Sequence, residues 1–175
     1  MPSFHPEPPF THGQADRTAV LLCNLGTPDE PTAPAVRRYL AQFLGDHRVV
    51  EIPKLLWMPI LHGIILRTRP AKSAAKYASI WTPEGSPLAH WTAKQATLLR
   101  GWLGEAGHAV LVRHAMRYGN PSIASQLDAL KAEGATRILI LPLYPQYSAT
   151  TTASVFDAVY TLSLIHISEP TRPLY

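Results

Sequence analysis

The sequence predicts an α/β fold of three layers, a parallel sheet with helices on both faces. Two observations carry most of that expectation. Residues 18–23 (TAVLLC) and 138–141 (ILIL) are short continuous apolar runs, the pattern of strands covered on both sides. Helical periodicity then fills the intervals between strand-like runs, in the order β, α, α, β, α, β, α, which calls for crossovers and a parallel sheet.

Taken in order, residues 1–17 are rich in Pro and polar side chains, and read as a flexible arm without the basic start and apolar run of a signal peptide. The first strand, 18–23, is closed by Asn24, Gly26 and Pro28. Pro34 marks a helix start, and Val36, Tyr39, Leu40, Phe43 and Leu44 recur at helical spacing until Gly45. A second helix opens with Ser86 as cap and Pro87 at its first position, carrying Leu88, Trp91, Leu98, Leu99 and Trp102 on one side up to Gly104. Residues 109–116 (AVLVRHAM) read as a strand. Asn120 and Pro121 open a third helix, with Ile123, Leu127 and Leu130 inward and Gly134 as its stop. The strand at 138–141 follows, Pro142 and Pro145 forbid further central pairing, and 151–160 begin one more helix. The intervening turn offers Tyr144, Gln146, Tyr147, Ser148, Thr150, Thr151 and Thr152 where ligands of open α/β sheets bind.

Composition narrows the function classes. With 175 residues, 46% of them apolar and 16% charged, the chain is an ordered domain able to bury a core. A net charge of +4 favours anionic partners, yet the basic residues are dispersed and no RNA-reading motif interleaves them, so nucleic acid is not expected as a partner. The single Cys23 excludes an internal disulfide framework and an all-cysteine metal or iron–sulfur site, and fits a reducing cytoplasm. Cys23 itself reads as a small core hydrophobe. His47, His90, His108 and His114 lack ligand spacing. No segment reaches the roughly 18 uninterrupted apolar residues of a membrane span.

Residues 55–66 (LLWMPILHGIIL) break the pattern, being too apolar for a solvent loop and flanked by Lys54, Arg67, Arg69, Lys72 and Lys76. Pro59 and Gly63 interrupt them. Two readings are open: an apolar lip at 53–70 resting on lipid or walling a pocket, with Leu55, Trp57, Ile60 and Ile64 as contacts, or an ordinary core helix-loop.

Asn24-Leu25-Gly26-Thr27-Pro28, the lip, Glu84-Gly85-Ser86-Pro87-Leu88, Met116-Arg117-Tyr118 and Tyr144-Pro145-Gln146-Tyr147-Ser148 together resemble the ferrochelatase family, most specifically in the last block. The wording of the lip is most similar to proteobacterial members, and the likeness runs from about residue 17 to 160. The resemblance implies a Rossmann-like first domain, residues 18–160, of a two-domain enzyme that inserts ferrous iron into protoporphyrin in the cleft between its domains. Ferrous iron and protoporphyrin would be substrates, with no bound cofactor and no metal site in this half. The resemblance also implies that Leu25 and Tyr144 contact the macrocycle, that Arg117 attracts a propionate, and that Tyr118, Gln146, Tyr147 and Ser148 line the same wall. The family's catalytic His and Glu lie beyond the resemblance, so no residue here is assigned catalysis and the chain is expected to lack turnover. His62 and His166 lack the neighbours that the family's His motif requires.

From the residues alone, an arginine ending an apolar strand is costly to desolvate unless an anion meets it. A salt bridge from Arg117 to Asp128 or Glu133 therefore stands beside the propionate reading. Tyr144 and Tyr147 are open to a core reading, and one hydroxyl of 148–152 to helix capping. Ala78 and Ser79 stand where family members often carry basic residues. Residues 161–175 (TLSLIHISEPTRPLY) depart from the family in mid-helix and resemble translated sequencing adapter, which predicts a non-native tail. Other functions compatible with the pattern are a non-catalytic porphyrin-binding or membrane-surface module and a cobalt or nickel chelatase. The expected location is the cytoplasm, with peripheral contact to the inner membrane through the lip.

Overall fold

A computed structural model describes residues 15–163; most of the expected arm and tail lie outside the described residues. Three parallel strands form one sheet in the order β2-β1-β3, with β1 at Thr18–Thr27, β2 at Leu111–Gly119 and β3 at Arg137–Pro142. The helices are α1 (Ala33–Gly45), α2 (Lys54–Ile60), α3 (Leu66–Ile80), α4 (Pro87–Glu105), α5 (Ile123–Ala132) and α6 (Ser154–Ser163).

Alternation along β1 divides the core. Ala19, Leu21 and Cys23 point to the face covered by α5 and α6, where Ile123, Leu130 and Val155 complete a buried cluster. Val20 and Leu22 point to the opposite face, against Val112 and the Ala96, Leu99 and Leu103 side of α4. The expected parallel sheet with helices on both faces is therefore present.

Four expectations change in detail. The lip is helical: α2 runs through a π-helical turn at Leu61–Ile65 into α3, with Pro59 and Pro70 inside the run. Each proline lacks an amide donor, and the wide turn lies between them. Leu61 and Leu66 are buried while Leu55, Leu56, Ile60 and Ile64 are exposed, so the segment has one core side and one uncovered side among the described residues. Second, α4 does not bury its bulky stripe. Thr92 and Ala96 are buried against the sheet with Leu99 and Leu103 packed beside them, while Trp91, Leu98 and Trp102 are exposed on the side turned away from it.

Third, β3 is covered on one face only. Ile138 and Ile140 pack on the α5–α6 side, while Leu139 and Leu141 remain 57% and 41% exposed beyond the reach of α4. Finally, the caps shift. Ser122, rather than Asn120-Pro121, caps α5 by accepting from Ser125 N, and Ser86 makes no side-chain cap. The first three residues of the expected tail complete α6.

Candidate functional site

Parallel strands bring their carboxyl ends to one edge of the sheet, and that edge carries residues 24–27, 116–119 and 142–148. With order β2-β1-β3, the chain leaves β1 toward one side and returns on the other, so β1 and β3 flank the crevice where ligands of open α/β sheets bind. Leu25 lies two residues before the end of β1 and is half-buried; Tyr144 follows β3 and packs against the α5–α6 cluster. Leu143 N donates to Cys23 O at 2.8 Å, tying the segment after β3 to β1.

The strand ends approach so closely that two glycines are required. A Cβ on Gly26, at φ +107°, would meet the Tyr118 carbonyl oxygen at 1.8 Å, and one on Gly119, at φ +85°, would meet Thr27 O at 2.7 Å.

Behind the edge, Asp46 collects side chains from β2 and α6 and one backbone amide. Its Oδ2 accepts from Arg117 Nη2 at 2.7 Å, Tyr118 OH at 2.7 Å and Ser154 Oγ at 2.6 Å, and its Oδ1 accepts from Arg48 N at 2.8 Å. Arg117 Nε also reaches Ser154 O and Oγ, at 2.9 and 2.7 Å. Burial pushes the Asp46 carboxyl up, but the Ser154 and Tyr118 hydroxyls, the Arg48 amide and the Arg117 charge together hold it below its ordinary value. Burial drives the Tyr118 phenol up to about 12, and the bond to Asp46 adds to it. A second pair, Arg48 Nε and Nη2 on the Asp157 carboxylate at 2.6 and 3.0 Å, braces the same corner against α6. Between these pairs opens a cleft of about 330 Å³ lined by Asp46, His47, Lys54, Arg117 and Asp157.

The predicted residues divide accordingly. Arg117 and Tyr118 come together around Asp46; the arginine pairs with neither Asp128 nor Glu133, since Glu133 is held by Arg113. Tyr144 is partly buried, its hydroxyl lacks any hydrogen-bond partner among the described residues, and desolvation raises its phenol far above the ordinary range. Gln146 and Tyr147 are exposed on the lip of the crevice, Tyr147 at 73%. Ser148 caps the π-helical turn Ala149–Ala153 by accepting from Thr150 N at 3.3 Å. Cys23 is buried, and desolvation pushes its thiol up to about 12.

Sequence reasoning missed Asp46, Ser154 and the Arg48–Asp157 pair. The signal available was a lone acid directly after a helix stop, Gly45-Asp46. Among the described residues no three His, Cys, Asp or Glu side chains gather closely enough to hold a metal ion.

A parallel sheet with a tyrosine-rich turn and a half-buried arginine at its carboxyl edge defines a Rossmann-like α/β domain. The ferrochelatase family model matches residues 17–171, and the chain belongs to the ferrochelatase family. It is 76% identical over 155 residues to a ferrochelatase of Methylibium petroleiphilum, covering 89% of this chain and 43% of that protein. It is 74% identical over 163 residues to one from a Polaromonas species, covering 91% and 44%. A ferrochelatase of Dechloromonas aromatica is 64% identical over 157 residues, covering 90% and 43%. The chain thus spans less than half the length of these relatives.

Proposed function

We propose that this chain forms one wall of a porphyrin cleft in an enzyme that inserts ferrous iron into protoporphyrin, and that by itself it binds the macrocycle without metallating it. The observation that carries this reading is the placement of Leu25 and Tyr144 on the two strand ends that flank the crevice. An aliphatic side chain and an aromatic ring there offer a flat apolar surface of the kind a macrocycle covers.

Arg117 supplies the cationic contact for a carboxylate. Asp46 and Ser154 engage its Nε and Nη2, which fixes the guanidinium plane and leaves Nη1 for a propionate entering the cleft that it lines. Insertion needs two pyrrole protons removed and the ring bent toward the metal, work suited to a neutral imidazole and a carboxylate. The segments that supply these in the family are not matched here, so binding without turnover is the expected behaviour. Porphyrin and ferrous iron enter as substrates, with no resident cofactor.

The lip gives the protein a membrane-facing surface. Leu55, Ile60 and Ile64 are exposed beside the basic Lys54, Arg67 and Arg69, which supports peripheral contact with an anionic bilayer. No helix among the described residues is long and apolar enough to cross a membrane. Trp57 is turned inward instead, donating its indole N–H to Leu44 O at 2.7 Å.

Absorbance titration with protoporphyrin, run beside a zinc-insertion assay, tests the reading. A saturable Soret shift without zinc porphyrin is expected. No shift overturns the cleft assignment, and zinc porphyrin formation overturns the claim that catalytic groups are absent.

A further inference from the structure

An edge strand presents unpaired backbone groups, and among the described residues β2 is an edge of the sheet. Two bonds outside the ladder fix where those groups point. Met116 N turns away from β1 to donate to Pro121 O at 2.7 Å, and below it Val110 N donates to His108 O at 3.0 Å. Alternation along the strand then turns the N–H and C=O of Val112 and His114 away from β1 as well. Nothing among the described residues meets them. They open on a cavity of about 370 Å³ that α4 and α5 wall on either side.

The walls define what fits there. Asn24 pairs with Met116 across the sheet and donates to Thr92 Oγ1 at 3.0 Å, which sets Thr92 level with Met116. From that point α4 runs back against the strands. Eight residues of helix and four of strand each cover about 12–13 Å, so Arg100 stands level with Val112, and Thr97 with His114. Arg100 is exposed, and among the described residues no carboxylate pairs with it. On the α5 side Arg113 is already held by Glu133 and Gln126. Burial keeps the His114 imidazole below its ordinary value and so neutral near neutral pH. The uncompensated charge of the groove is therefore that of Arg100.

A second copy of this chain fits poorly. Antiparallel pairing of two β2 edges about Arg113 would set one Arg113 opposite the other and bring two unpaired Arg100 side chains into one groove, and like charges directly opposite are destabilising. A single extended segment meets neither obstacle.

We infer that the open edge of β2 takes up an extended acidic segment of a partner protein, antiparallel to the strand, with a carboxylate beside Arg100 and a small polar side chain beside Thr97. Val112 and His114 then each exchange two backbone bonds with it, and the alternate side chains of the segment meet the α4 wall. The seat lies away from the crevice between β1 and β3, so it stands whether or not that crevice binds porphyrin.

The probe is the pentapeptide acetyl-Thr-Thr-Glu-Thr-Thr-amide. Titrated into this chain and followed by amide NMR, it is expected to shift the Val112 and His114 amides saturably and to slow their hydrogen exchange by at least about threefold. Lysine in place of the glutamate is expected to weaken binding about fivefold, and Arg100→Glu, a change at an exposed side chain, to reverse that preference. If this chain gives no assignable spectrum, the same titration on the intact Methylibium protein takes its place. Four results overturn the inference. They are no shift at the two amides, a shift that methylating the glutamate nitrogen leaves unchanged and that therefore reports ion pairing alone, slow exchange in the free chain that deepens with protein concentration and so reports a second copy, and slow exchange in the peptide-free relative, whose own chain then covers the edge.

Discussion

Arg117 and Asp46, 71 residues apart in sequence, meet at 2.7 Å with the carboxylate 5% and the guanidinium 22% exposed. Removing the carboxylate leaves a largely buried cation together with the hydroxyls of Tyr118 and Ser154 short of an acceptor. Asp46→Asn is therefore expected to cost about 2–3 kcal/mol near neutral pH, less than a fully buried pair because Arg117 keeps some solvent. The pH dependence has a definite sign. The folded carboxyl titrates below its ordinary 3.8, so its stabilisation is complete above that value and is lost as pH falls through the depressed folded value. Urea unfolding between pH 3 and 7 should show a steeper acid loss for the parent chain than for Asp46→Asn. Equal slopes would remove Asp46 from the account.

Gly26→Ala tests the strand crossing. The new methyl would sit 1.8 Å from the Tyr118 carbonyl oxygen, a backbone atom, at a φ of +107° that L side chains rarely adopt. Separating β1 from β2 there breaks the edge on which Leu25 and Arg117 are mounted. A loss of about 3 kcal/mol or more is expected, read as a lowered urea midpoint. Gly101→Ala, where the new Cβ meets nothing within 4 Å, is the control and should be neutral or mildly stabilising.

Local pattern carried the strands and most helices because apolar runs and helical spacing depend on near neighbours. Residues 18–23 and 138–141 lie in β1 and β3 as expected, and the parallel order followed from alternation. What the pattern could not carry was the identity of the covering layer. ILIL has the same four letters whether one face or both are covered, and Leu139 is bare because α4 sits over its neighbours. At the carboxyl edge, the position of Tyr144 just after β3 was legible in the apolar run and the prolines that end it, whereas Leu25 was singled out by the resemblance alone. The Arg117 partner was not legible, since Glu133 lies nearer in sequence and only the crossover through α1 brings Asp46 instead.

Tyr144→Phe separates fold from function at one atom. The hydroxyl is buried with no partner among the described residues, a state that costs about 1–3 kcal/mol. Deleting it should leave stability unchanged or raise it. If a bound porphyrin, or a water it carries, satisfies that hydroxyl, the same change should weaken macrocycle binding severalfold in a Soret titration. Unchanged binding would restrict Tyr144 to its ring.

Changing Leu55, Ile60 and Ile64 together to serine tests the lip as a membrane surface. All three are exposed, so folding should be little altered, whereas each gives up apolar area that a bilayer would otherwise cover. Partition onto anionic vesicles should fall by about 10- to 100-fold. Because Lys54, Arg67 and Arg69 flank the patch and are exposed, raised salt should weaken the parent's binding as well. Trp57→Phe is the discriminating companion. Its indole N–H satisfies a carbonyl at the end of α1, so the change should lower stability by about 1 kcal/mol without sharing the large partition loss of the serine variant. A Trp57 effect on partition as large as the triple's would mean that the ring, and not the exposed aliphatic face, meets the lipid.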